Sequence, residues 1–268
     1  MGKKLQICIL TIIALVTFLL LGGVICNLVR ATNEDVIHPE VTFEIENVGT
    51  IKMELYQEYA PNTVANILKL VEAGYYNNKV IYGKDELCLY VGRTQEGEAE
   101  NPTVSLINSK VEAGSEADFE YSIEGEFTTN GFTQNTLRHE KGVVSLIRNN
   151  YGSSLYEESY NSGNAQLGVM MSDNASNLNG TYAAFGKITE GLDLLENIYN
   201  TQELIVEVDE ETGEVVESTG GIEEFSNKLV ITSATVDTHG VEFEIPEVIE
   251  AFDYEEYMYQ MIYSQYAS

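Results

Sequence analysis

LNGTYAAFGK at residues 178–187, followed by ITEGLDLLENIYN up to Asn200, is the stretch from which the rest of this chain is read. Gly180 marks a turn, Ala183 to Phe185 make a short apolar strand, and Gly186 follows as a second glycine. Leu192, Leu194, Leu195 and Ile198 then recur at helical spacing, which predicts an amphipathic helix of about three turns over Glu190–Asn200. Upstream, LRHEKGVVSLIRNN (137–150) carries a strand from Gly142 to Arg148, and another runs from Gln166 to Met171.

Working outward, VTFEIE (41–46) and IKMELY (51–56) alternate apolar and polar residues on either side of an Asn/Gly turn, the pattern of a hairpin. Pro61 then opens a helix through Val64, Ile67, Leu68 and Val71 that Gly74 stops, with proline in the first turn and glycine past the end. The chain has 268 residues, enough for one domain with appendages. It carries 14 basic against 43 acidic residues, a formal charge of −29. Such a surface repels phosphate backbones, so nucleic acid is excluded as a partner. Of the three cysteines, Cys8 and Cys26 fall in an apolar leader, leaving Cys88 alone and no disulfide to form.

That leader follows Lys3 and Lys4, and Ile7–Cys26 runs twenty residues without a charge. A spanning helix needs about 20 apolar residues and a cleaved signal about 7–15, so length favours an uncleaved anchor with its N-terminus in the cytoplasm. Two alternatives stay open. Val29-Arg30-Ala31 fits a signal-peptidase site, and Leu21–Cys26 resembles a lipoprotein box apart from the bulky Ile25. All three place the remainder outside the cytoplasm.

From about Val41 to Asp237 the chain resembles the cyclophilin family of peptidyl-prolyl isomerases, in particular bacterial, extracytoplasmic members. The family shows L-D-G-x-Y-A-A-F-G-K-V-x-E-G after a Q-F-F strand and an L-x-H-x-x-G-V-x-S-M-A strand. Phe185-Gly186-Lys187, Glu190-Gly191, His139, Gly142, Ser145 and Gln166 stand in that register. Glu124-Gly125-Glu126-Phe127 and Asn130-Gly131-Phe132 match a G-E-F…N-G-F pattern, and Ala60-Pro61-Asn62-Thr63 matches the first helix. The resemblance implies a mainly β fold, a closed antiparallel barrel capped by two α-helices. It also implies prolyl isomerisation of proline-containing segments, with no cofactor or metal.

Over the family's catalytic hairpin the match fails. An ungapped alignment of Lys79–Thr94 with L-I-F-H-R-V-I-P-G-F-M-I-Q-G-G-D puts the catalytic arginine on Gly83, the pocket phenylalanine on Cys88 and the glutamine on Val91. Leu89 stands in for the pocket methionine, and Gly168 replaces a second pocket aromatic. No catalytic residue is therefore assigned, with Lys84 and Arg93 as possible substitute cations. The substrate-binding set implied is Leu89, Ile147, Arg148, Asn149, Gln166, Leu178 and Tyr182. Restoring an arginine at Gly83 would, on this alignment, need phenylalanine at Cys88 and Gly168 to act against.

The domain organisation read from these features is a membrane or signal segment over 1–31, a linker over 32–40, and the cyclophilin-like domain over 41–240. An acidic β-ribbon is inserted at about 203–218, and a tyrosine-rich acidic extension covers 241–268. Beyond Pro246, residues Val248, Ile249, Phe252, Tyr259, Ile262, Tyr263 and Tyr266 fall near helical spacing. They predict a helix that packs back on the barrel, with a partner-binding helix as the alternative. His38, His139 and His239 share no metal spacing, and His139 reads as structural. Two functions follow: an isomerase with weakened catalysis, or a non-catalytic module that holds peptides or docks a partner.

Overall fold

The computed structural model describes residues 37–205 and 221–266. The anchor or signal segment Ile7–Cys26 and most of the inserted ribbon lie outside these residues. Among the described residues, no helix is long and apolar enough to cross a membrane.

Eight strands close into a barrel: β1 (Glu40–Ile45), β2 (Gly49–Leu55), β3 (Val80–Lys84), β4 (Cys88–Arg93), β6 (Val143–Leu146), β7 (Leu167–Met170), β8 (Ala183–Glu190) and β9 (Glu223–Asp237). They are ordered β1-β2-β8-β6-β7-β4-β3-β9, and β9 pairs back to β1. Every pairing is antiparallel. The first hairpin forms as expected, with Val41 facing Met53 and Phe43 facing Ile51. Closure removes sheet edges, and alternation sends one residue in two into the core. Phe43, Ile51, Met53, Ile81, Val91 and Val169 meet there around a void of about 20 Å³. The lining is wholly apolar, which offers a water no partner.

Helix α1 (Pro61–Glu72) buries Val64, Ile67, Leu68, Leu70 and Val71 at 0–3% exposure. Its own N-cap residue, Ala60, has no side-chain acceptor. Glu126, 63 residues beyond Thr63 and 5% exposed, supplies one instead, accepting from the N–H groups of Asn62 (2.9 Å) and Thr63 (2.7 Å). A carboxylate at a helix N-terminus is favoured by both the free donors and the helix dipole. The short helices α2 (Val104–Ile107) and α3 (Tyr156–Tyr160) break otherwise irregular runs, and α4 (Leu192–Thr201) closes one barrel end with Leu195 and Ile198. Gly191 precedes α4 at φ +82°, where a Cβ would lie 2.6 Å from the Thr50 carbonyl oxygen.

His139 is structural in its contacts. It is 2% exposed, with Nδ1 3.0 Å from Asn179 Oδ1 and Nε2 3.1 Å from Ser145 Oγ. Because Asn179 Oδ1 can only accept, Nδ1 carries the proton and Nε2 accepts from the serine hydroxyl. Burial holds its pKa below 6.5. The unfolded chain therefore takes up a proton before the folded one does, and stability is full above pH 6.5 and falls as pH drops below it. The loss attributable to this residue is at most about 1.4 kcal/mol per pH unit. Urea titrations from pH 7.5 to 5 should show wild-type losing more stability than His139→Gln, and parallel curves would refute the assignment.

The C-terminal extension differs from its expected form. Pro246–Asp253 is not helical: β10 (Ile249–Glu250) pairs with β5 (Tyr121–Ser122), and α5 begins only at Tyr254 and runs to Tyr266. Val248, Ile249 and Phe252 are thus not on the helix. The segment before α5 makes the contacts with the domain, whereas Tyr259, Ile262 and Tyr263 on α5 are 50–63% exposed. A two-residue ladder satisfies backbone groups that a helix start at Pro246 would have left unpaired against β5.

Candidate functional site

On β3 and β4 the side chains divide by alternation. Ile81, Leu89 and Val91 point into the barrel, while Val80, Tyr82, Cys88 and Tyr90 form a second apolar cluster on its outer face with Met170 and Ala184. Leu89 is 0% exposed in the interior. Its expected role in a peptide pocket is corrected by this register, because a residue on that face of the strand never reaches the surface.

A bulge at Tyr82 moves the strand phase: Ile81 pairs with Val91, yet Gly83 pairs with Tyr90. Gly83 lies against β9, and a Cβ built there would sit 2.6 Å from the Glu223 carbonyl oxygen and 3.2 Å from Glu224 Cα. The position that the alignment gives to a catalytic arginine thus has no room for any side chain. Lys84 is also removed from the face. Its Nζ donates to the Tyr199 carbonyl at 2.8 Å and lies 4.8 Å over the Tyr199 ring, so it caps the C-terminal end of α4.

The cation brought to the outer face is Arg93. Its guanidinium lies 4.2 Å over the Tyr82 ring and pairs with Glu224 at 2.9 Å. Tyr82, fully buried, donates its hydroxyl to Gln166 Oε1 at 2.9 Å. Burial raises the Tyr82 pKa to about 12, so the phenol stays a donor at any physiological pH. With its oxygen held by Tyr82, Gln166 is left with its amide N–H groups as donors. The turn between the strands is organised by Asp85, which accepts from the Leu87 and Cys88 N–H groups (2.7 Å each) and the Tyr90 hydroxyl (2.6 Å).

Gly168 and Ile147 have exchanged size. A Cβ on Gly168 would meet Ile147 Cδ1 at 2.7 Å, so the isoleucine fills the space next to the glycine. Restoring phenylalanine at Gly168, as the alignment suggests, collides with Ile147. Cys88 is 3% exposed against Met170 Sδ (3.5 Å), and burial raises its thiol to about 12, which makes it inert packing.

Of the remaining expected residues, Ile147 and Leu178 pack on the outer cluster, and Arg148 and Tyr182 contact each other. Arg148 is enclosed by aromatic rings, at 4.4 Å from Tyr182, 5.0 Å from Tyr160 and 5.7 Å from Phe127. Its Nε donates to the Thr181 carbonyl at 3.1 Å and its Nη1 to the Asn149 carbonyl at 3.3 Å. Arg148 and Tyr182 thus brace each other. Ile147 continues β6 by donating its N–H to the Gln166 carbonyl at 2.9 Å, and Leu178 packs on the outer cluster. Asn149 is exposed. Sequence reasoning missed Tyr82, Tyr90 and Glu224. The period-two alternation Val80-Ile81-Tyr82 carried a signal for the first, but the bulge that rephases Gly83 leaves none.

Residues 40–233 match the family described as cyclophilin type peptidyl-prolyl cis-trans isomerase/CLD. The chain belongs to that family. Among curated cyclophilins it is 30% identical over 160 residues to peptidyl-prolyl cis-trans isomerase-like 4 of Neurospora crassa, covering 57% of this chain and 29% of that protein. It is 27% identical to peptidyl-prolyl cis-trans isomerase B of Bacillus subtilis, covering 59% of this chain and 89% of that one. The match thus spans under a third of the fungal relative and most of the bacterial one. A crystal structure of a Cryptosporidium parvum cyclophilin type peptidyl-prolyl cis-trans isomerase superposes with a TM-score of 0.52 at 17% identity, over 75% of this chain and 98% of that chain. The same parasite protein crystallised in the presence of the dipeptide Ala-Pro gives 0.51. At that identity the likeness bears on the cyclophilin fold.

Proposed function

We propose that this chain is a cyclophilin-type peptidyl-prolyl cis-trans isomerase with weakened catalysis, acting outside the cytoplasm on proline-containing segments of other proteins. Rotation about a peptide bond faces about 18–20 kcal/mol because nitrogen donates into the carbonyl. A catalyst needs a socket for the proline ring and a donor aimed at the nitrogen as it becomes pyramidal in the twisted state. The observation that carries the weakening is Gly83, whose side-chain direction is closed by the β9 backbone. Losing one such donor typically costs about 10²–10³ in rate. Arg93, held over Tyr82 beside Gln166, is the residual donor in this reading. The Ile147–Asn149 segment, which directly follows β6, anchors an extended peptide by its backbone.

A non-catalytic peptide-holding module is the second reading, favoured by how completely the outer face is filled, with Tyr82, Cys88 and Tyr90 at 0–8% exposure. A protease-coupled isomerisation assay on the full-length chain separates the two. We expect turnover about 10²-fold below that of an intact cyclophilin site, reduced a further tenfold or so by Arg93→Ala and unaffected by Lys84→Ala. Peptide binding with no rate acceleration would establish the second reading.

The extracytoplasmic part rests on Ile7–Cys26 behind Lys3 and Lys4. The full-length protein should fractionate with membranes, and protease added to intact protoplasts should digest its barrel. An uncleaved protein recovered from the cytosol would sink this assignment.

A further inference from the structure

We propose that the C-terminal segment from Glu247 to Tyr257 is a positioning element for peptide binding, with Tyr151, Phe252 and Tyr254 holding the loop that carries Asn149. It rests on the reading of Ile147–Asn149 as the peptide anchor. The segment lies beyond residue 233, where the match to the family ends.

The connection is continuous from the domain to the anchor. Asn62, in the first turn of α1, holds Glu247 from both sides: its Nδ2 donates to the Glu247 carbonyl at 2.8 Å, and its Oδ1 accepts the Glu247 N–H at 2.7 Å. Pairing of Ile249–Glu250 with Tyr121–Ser122 follows, and the Ala251 N–H donates to the Glu120 carbonyl at 2.9 Å. The chain is thereby delivered to Tyr151. Tyr254 stacks on that ring at 5.0 Å and an interplanar angle of 16°, and Phe252 meets it edge-on at 5.3 Å. Tyr257 in turn packs on Phe252 at 5.6 Å.

Tyr151 passes the constraint on. Its hydroxyl accepts from Asn149 Nδ2 at 2.8 Å, and its N–H donates to Ser159 Oγ at 2.9 Å. Asn149 is held from its other side by the Ser162 hydroxyl on its N–H and by Arg148 on its carbonyl. An exposed loop has many conformers, and a peptide that needs one of them binds more weakly by the fraction of time that conformer is absent. Two aromatic rings packed on Tyr151, Tyr254 stacked and Phe252 edge-on, restrict that choice beforehand, the preorganisation that raises affinity without new contacts. Such an effect falls on peptide affinity. It leaves turnover alone, because none of these rings reaches Gln166 or Arg93 through a contact described above.

The test uses the full-length chain and a tetrapeptide containing Ala-Pro. Tyr254→Ala is expected to raise the peptide Kd about tenfold, with kcat for isomerisation within twofold. Amide exchange at Asn149 and Tyr151 should also quicken about tenfold. Tyr254→Phe keeps the stack and should match wild-type in every readout. Tyr151→Phe keeps the stack but loses the acceptor for Asn149, and should raise Kd about threefold at an unchanged melting temperature. If Tyr254→Ala speeds exchange but leaves Kd within twofold, the tail holds the loop without positioning peptide, and the proposal falls while the anchor reading stands. Unchanged exchange and unchanged Kd overturn the clamp itself. If wild-type neither binds nor isomerises the peptide, the anchor reading fails first, and the proposal with it.

Discussion

Gly83→Arg is expected to destabilise the protein and leave its isomerase activity within a few-fold of the unmodified chain. The obstruction is backbone: a Cβ would be 2.6 Å from the Glu223 carbonyl oxygen and 3.2 Å from Glu224 Cα. No rotamer change relieves it. Either β9 moves, giving up the pairing of Gly83 and Lys84 with Glu224 and Glu223, or β3 does, disturbing its ladder with β4. Overpacking of this kind costs about 1–3 kcal/mol. At about 2–4 °C per kcal/mol for a domain of this size, the melting temperature should fall by several degrees. A tenfold gain in activity at an unchanged melting temperature would mean that β9 yields freely and that the donor site is latent. Gly168→Phe is a different case because its obstacle is a side chain, Ile147 Cδ1 at 2.7 Å. Pairing it with Ile147→Ala should recover about 0.5–3 kcal/mol of what the single substitution loses, the coupling usual for residues in contact.

Glu126→Ala should be the most damaging single change outside the barrel core. The Glu126 carboxylate receives two N–H groups from the first turn of α1, a helix whose own cap position is an alanine. Truncation leaves both donors without that acceptor, buried at Thr63 and half-buried at Asn62. An unsatisfied buried donor costs about 1–3 kcal/mol, so a loss of about 2–4 kcal/mol is expected. Glu126→Gln retains one acceptor oxygen and should lose about half as much. Chemical denaturation checks both, and equal stabilities for the three proteins would show that α1 needs no distant cap. The same carboxyl is raised above its ordinary pKa by burial, opposed by the two N–H donors. Protonation would remove half of its acceptor capacity, which makes Glu126→Gln a fair imitation of the acid form.

Much of the architecture was legible in the sequence because it depends on local spacing. The alternation of 41–46 and 51–56 set the first hairpin and its turn. Pro61 marks the first residue of α1, the apolar positions at 64, 67, 68 and 71 its buried side, and Gly74 lies two residues past its end at Glu72. Period two and period 3.6 are properties of a few consecutive residues, and burial rewards them wherever they occur. The closed barrel itself was implied by resemblance rather than by periodicity, since antiparallel strands of this kind can pair in several orders.

Tertiary structure alone decided the chemistry of the site. In sequence, Leu89 stands where the family has a pocket methionine and Gly83 where it has the arginine, and neither position shows which way its side chain points. Alternation along β4 turns Leu89 inward with Val91, and the bulge at Tyr82 presses Gly83 against a strand 140 residues away in sequence. Arg93 and Lys84 are equivalent as sequence, two cations near a missing third. What separates them is Glu224 and Tyr82 on one side and the end of α4 on the other. The cap that Glu126 gives to α1 and the bond from Tyr151 to Asn149 are likewise invisible to any local pattern. Side-chain partners chosen across the barrel obey distance in space, and strand phase, which fixes that distance, shifts with one extra residue.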